Sequence, residues 1–106
     1  MPKLYVVSIR WVGLQKTKDD LKDVFEMIGD WLYFSNQSWL VWTDKETFAI
    51  YQILSPHLSQ QDAEIIFEVL PGTRFGYAPK WVWDWIDQRS GSTTQPSQQL
   101  PYIRPQ

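Results

Sequence analysis

The stretch Asp30–Asp44, DWLYFSNQSWLVWTD, limits the possible folds more than any other. Two apolar, aromatic-rich runs, Trp31–Phe34 and Trp39–Trp42, flank the short polar link Ser35-Asn36-Gln37-Ser38. Aromatic and β-branched residues suit pleated strands, and a short polar link between two such runs predicts a β-hairpin. Trp31 and Tyr33 alternate with Leu32 and Phe34, so both faces of the first run are apolar. Strands of that kind are covered on both sides. The hairpin is therefore expected in the middle of a sheet, with helices over one face and something else over the other.

The rest of the chain supplies the partners. Leu4–Trp11, LYVVSIRW, reads as a buried-type strand that turns polar at Ser8 and Arg10. After a loop bending at Gly13, Thr17 and Asp20 have the spacing of a capping box. Leu21, Val24, Phe25 and Ile28 then recur at i, i+3, i+4 and i+7, the stripe of an amphipathic helix, with Gly29 placed to stop it. Beyond the hairpin, Thr43 or Asp44 is a candidate cap for a second helix, whose apolar face would use Phe48, Ile50, Tyr51, Ile53, Leu54 and Leu58. Pro56 ends or kinks that helix near Leu54. Ala63–Leu70, AEIIFEVL, sets Ile65, Phe67 and Val69 against Glu64, Ile66 and Glu68, a pattern suited to an edge strand or one with a solvated face. Pro71–Tyr77 is rich in turn residues. Pro79 opens a last helix over Lys80–Arg89, with Trp81 and Trp85 one turn apart and Val82 and Ile86 beside them.

Strand, helix, strand, strand, helix, strand is the order of a split βαβ sheet. The predicted class is α+β: a ferredoxin-like βαββαβ sandwich, a four-stranded antiparallel sheet with two helices on one face and right-handed crossovers. A C-terminal Trp-rich helix completes a domain over 1–89, and the Ser/Gln/Pro-rich residues 90–106 form a flexible tail or one ordered by a partner. The bare face of the sheet then needs cover from the Trp81–Ile86 helix, from another subunit, or from both, which predicts a homodimer.

Composition narrows the function. A single domain of 106 residues buries enough surface to need no staple, and it has no cysteine, which fits a reducing, cytoplasmic setting. The net charge of −2 is not that of an electrostatic nucleic-acid binder. No apolar run reaches membrane-spanning length, so no membrane partner is expected. Seven tryptophans exceed what so small a core can bury, which points some of them to an interface.

Several segments together resemble a known family: LYVVSIRW, the Gly29-Asp30-Trp31 junction, and Ser38-Trp39-Leu40-Val41 leading to Thr43. Leu54-Ser55-Pro56-His57-Leu58 ahead of AEIIFEVL and the late Trp85-Ile86 helix extend the match over roughly residues 3 to 89. The pattern is similar to the SinR-family small ferredoxin-like proteins, relatives of the CRISPR-adaptation endoribonucleases and of VapD-type toxins. The resemblance implies the fold and the dimer. In nucleases of that kind the first strand ends in an aspartate thought to hold a metal across the dimer. Here Ser8-Ile9-Arg10 stands in that place, and a guanidinium repels Mg²⁺ rather than ligating it.

The candidate residues each have an ordinary reading as well. Ser8 and Arg10 would bind a phosphate or carboxylate, or Arg10 is an edge residue in a surface ion pair. His57, the one histidine, is a candidate general base, or an exposed structural residue. Asp19, Asp20 and Asp23 suit the helix dipole better than a metal. Asp30 and Asp44 bracket the open end of the hairpin and could share a proton or metal. Trp81, Trp83 and Trp85 would stack on nucleic-acid bases or pack on a sheet or partner. Asp84 and Asp87 within the run favour packing. The expectation is a non-catalytic, dimeric binding protein without cofactor, its partner a protein or, second, RNA. The alternative is an endoribonuclease or toxin-like nuclease, metal-dependent or metal-independent, with active residues relocated to Asp30, Asp44 or His57; Mg²⁺ enters only in that case. A third role has the tail segment Leu100-Pro101-Tyr102-Ile103-Arg104-Pro105 docking on a neighbour's sheet edge.

Overall fold

The computed structural model describes residues 1–71 and 76–91. The expected tail falls almost wholly outside the described residues, as does the middle of the Pro71–Tyr77 loop. The elements are β1 (Lys3–Arg10), α1 (Lys18–Ile28), β2 (Asp30–Ser35), β3 (Ser38–Thr43), α2 (Thr47–Leu54), a 3₁₀ turn (Ser55–His57), β4 (Ala63–Val69) and α3 (Lys80–Ser90). The chain divides into two compact units, Met1–Val69 with the sheet, α1 and α2, and a second beginning at Leu70 that contains α3.

The sheet is antiparallel throughout, in the order β2-β3-β1-β4. The α+β class and the four-stranded sheet are as expected, and the strand order is compatible with a ferredoxin-like arrangement. One expectation needs correcting: only β3 of the hairpin lies inside the sheet, and β2 is an edge. The crossover through α1 leaves a slot between β1 and β2, and β3 fills it. The register slips between Tyr33 and Ser35, so the outer strand is irregular near its turn.

Register defines the two faces. Tyr5 lies opposite Val41 and Glu68, and Val7 lies opposite Trp39 and Ile66. Tyr5, Val7, Ile9, Trp39 and Val41 form one buried cluster with Leu21, Val24, Phe25 and Ile28 of α1 and Ile50 and Leu54 of α2. Both helices therefore pack on the same face. Every residue of the predicted α1 stripe is buried, each worth about 1.5–3 kcal/mol relative to exposure. The capping box forms: Asp20 N–H donates to Thr17 Oγ1 at 3.2 Å, and Thr17 N–H donates to Asp20 Oδ2 at 2.9 Å. Gly29 ends the helix, but in extended rather than left-handed backbone. Its role is close approach. A Cβ there would lie 2.7 Å from the Trp42 carbonyl oxygen and 2.8 Å from Thr43 Cβ.

Thr43 caps no helix. It is buried at the end of β3, and its hydroxyl donates to the Ile28 carbonyl at 2.7 Å, satisfying an acceptor that α1 leaves over. Asp44 is also not the cap, since Glu46 takes that position without a side-chain bond. On α2 only Ile50 and Leu54 are fully buried, with Ile53 and Leu58 packed at the margin, while Phe48 and Tyr51 are exposed at 64% and 46%. The helix ends at Leu54, and Pro56 sits in the 3₁₀ turn, where its missing N–H costs little. On α3 the buried residues are Val82, Trp83 and Ile86, whereas Trp81 is 56% exposed. Lys80, Asp84 and Gln88 mark a polar stripe at i, i+4 and i+8 beside Trp81, which turns that indole outward. Gly91, at φ 74°, closes the helix in the left-handed region with its N–H on the Asp87 carbonyl.

Candidate binding cleft beside a sheet edge

The antiparallel register sorts the candidate residues to two ends of the first unit. Asp30, Asp44 and the β4 terminus at Val69 lie at the end where β1 begins. Arg10, His57 and Ala63 lie at the opposite end. The carboxylates Asp30 and Asp44 thus share an end, but His57 is separated from both by the length of the sheet. All three are exposed. Among the described residues, no three of His, Cys, Asp or Glu come together as a metal-binding group.

Ser8 and Arg10 project from the face away from α1 and α2, Ser8 opposite Ser38 and Ile65, Arg10 opposite Ala63. Ser8 is half-buried and Arg10 exposed. The surface ion pair that is the ordinary reading for Arg10 does not form among the described residues. The tryptophans of α3 do not act as one platform. Trp83 is buried, Trp81 is exposed, and Trp85 is half-buried with the Arg89 guanidinium 4.3 Å from its ring centre. Lys80 pairs with Asp84 at 2.9 Å.

Where α2 gives way to the 3₁₀ turn and the chain returns into β4, a cleft of about 410 Å³ opens. Tyr51, Ser55, Leu58, Asp62, Ala63 and Glu64 are among its lining. Its two carboxylates sit in opposite environments. Asp62 accepts N–H bonds from Val12 at 2.8 Å, Ser59 at 2.9 Å and Gly13 at 3.3 Å. These donors hold its carboxyl down to about 2. Asp62 is therefore a clamp that ties the loop after β1 to the turn before β4. Glu64 is half-buried, and burial pushes its carboxyl up, against the Ser55 hydroxyl that donates to Oε2 at 2.8 Å. Its Oε1 is shielded from solvent with no donor among the described residues.

The Asp62 clamp predicts a pH dependence. A carboxyl depressed in the folded state contributes stability that is full above its unfolded value near 4 and is lost as pH falls through about 2. In urea titrations the gap in midpoint between the native chain and Asp62→Ala is expected to be open at neutral pH and to narrow between about pH 4 and 2. An unchanged gap across that range contradicts the clamp.

Neither Glu64 nor Asp62 stands out in the sequence as a site residue. Asp62 carries one local signal, the Ser59-x-x-Asp62 spacing of a side-chain turn, which the structure uses. Glu64 carries none, because its burial depends on where the end of α2 settles.

The fold and the cleft define an α+β protein with a partly desolvated carboxylate beside an edge strand. No family model, curated protein or solved structure matches the chain.

Proposed function

We propose that this is a non-catalytic, homodimeric binding protein with ferredoxin-like topology, a degenerate relative of the CRISPR-adaptation-type and VapD-like endoribonucleases. The observation that carries the reading is on the sheet face away from α1 and α2. There Ile65 and Phe67 of β4 are 54% and 59% exposed, side by side on one strand. Exposed apolar side chains grouped on a regular element mark an association surface. Arg10 supports the loss of catalysis. It stands where the resemblance implies a metal-holding aspartate, and the length of the sheet between His57 and the Asp30–Asp44 end counts against a shared active centre for those three. The partner is a protein, a second copy first; RNA ranks behind it for a chain of net charge −2. The chain contains no cysteine, which suits the reducing cytoplasm, and no helix among the described residues is long and apolar enough to cross a membrane.

The nuclease alternative keeps one observation in its favour, the placement of Asp30 and Asp44 at the same end of the hairpin. Incubating the purified protein with RNA and with DNA, in Mg²⁺ and in Mn²⁺, separates the two. The proposal expects no cleavage. Cleavage abolished by Asp30→Asn, Asp44→Asn or His57→Ala overturns it.

A further inference from the structure

The two edges of the sheet are not alike. β2 is irregular near its turn, where the register slips between Tyr33 and Ser35. β4 runs seven residues in unbroken register with β1, contains no proline, and among the described residues pairs with no strand on its far side. Natural edges are usually blunted by lysine, proline, a bulge or inward-pointing charge; β4 has no lysine, proline or bulge, and the charge it carries is Glu64 and Glu68 on the helix side. Its outward-facing amides and carbonyls are a template for another strand.

The surroundings of that edge specify what would pair with it. On the helix side lie Glu64 and Glu68, with the Tyr51 cleft beside Glu64, and Tyr51 stacks on the exposed Phe48 with ring centres 6.1 Å apart. From Leu58 through Pro71 the chain contains no basic residue, while it carries Asp62, Glu64 and Glu68. Among the described residues, Lys3 is the cation that reaches this strand, at 3.7 Å from Glu68, and it is shared with Glu46. The opposite face of β4 presents Ile65 and Phe67. A second copy is poorly matched here, because symmetric antiparallel pairing about Ile66 would set Glu64 against Glu68, and like charges directly opposed are unfavourable.

We propose that the β4 edge and the Tyr51–Glu64 cleft form a docking site for an extended peptide whose side chains alternate basic and apolar. The added strand hydrogen-bonds to the outer edge of β4. Its basic side chains face Glu64 and Glu68, with their aliphatic stems against Tyr51, and its apolar side chains continue the Ile65–Phe67 row. This rests on the binding-protein reading but not on the dimer, since the helix-side residues that set the charge preference lie on the opposite face from Ile65 and Phe67.

The test is fluorescence anisotropy with the full chain and a short labelled peptide alternating Lys and Val. Saturable binding is expected, with protection of β4 amides from hydrogen exchange. A Glu/Val peptide should not bind, and a Lys/Val peptide with a central proline, which lacks a strand donor, should bind about tenfold more weakly. Glu64→Gln and Tyr51→Ala should each weaken binding about fivefold, with the mass of the particle unchanged. Four results overturn the site: no saturable binding, equal binding of the proline or acidic peptide, β4 protection that appears with protein concentration alone, or tighter binding of a peptide of residues 98–106, which would make the chain's own tail the occupant. Loss of peptide binding in a chain that remains dimeric and inactive on RNA rejects this site and leaves the proposed function standing.

Discussion

Trp39→Ala is expected to lower stability by about 2–4 kcal/mol and the thermal midpoint by about 10–25 °C. Trp39 is fully buried in β3 at the centre of the helix-side cluster. Its ring stacks on Phe25 of α1 at 4.9 Å between centres and meets Tyr33 edge-on at 5.8 Å. Truncating a buried aromatic in such a place costs about 3–5 kcal/mol, because the cavity between a strand and a helix collapses only in part. An opposing effect sets the lower end. The Trp39 indole N–H is buried without an acceptor among the described residues, and an orphan donor of that kind costs about 1–3 kcal/mol, which truncation relieves. Trp39→Phe separates the two contributions. It keeps an aromatic face against Phe25, leaves a smaller cavity and removes the N–H, so it should cost clearly less than Trp39→Ala. If the two variants unfold at the same denaturant concentration, the stacking is not what holds β3 to α1.

Phe67→Lys is expected to convert the proposed dimer to a monomer without unfolding it. Phe67 lies on the edge strand, 59% exposed, next in line to Ile65 on the same face. A lysine there keeps its stem on the sheet and its head in water, so the subunit loses little. In a closed two-fold contact the same change appears on both sides and puts two ammonium groups into one apolar patch, which is strongly unfavourable. The circular dichroism spectrum and urea midpoint of the monomer should stay close to those of the native subunit at high dilution. A variant that remains dimeric excludes Phe67 from the interface.

Several features were legible because a single period carries them. Leu21, Val24, Phe25 and Ile28 bury as a stripe since the 3.6-residue repeat leaves them no other common face. Thr17 and Asp20 cap that helix through contacts within one turn. The misreadings all involve a second element. Thr43 resembles a cap locally, yet its hydroxyl finds the Ile28 carbonyl, fifteen residues away in the chain. Gly29 stops α1 as its position suggests, but the reason is the backbone of β3 passing within reach of a Cβ. Phe48 and Tyr51 sit in an apolar-rich helix whose sequence does not say which apolar residues stay outside, and two of them do. The Tyr51–Glu64 cleft is invisible for the same cause: it exists only where the end of α2 meets the start of β4.

Light scattering of the purified chain tests directly whether the apolar side of β4 is an association surface. A particle of about twice 12.6 kDa that Phe67→Lys reduces to one subunit is the predicted result. A native chain that scatters as a single 12.6 kDa subunit at every concentration, with Ile65 and Phe67 open to water, contradicts it.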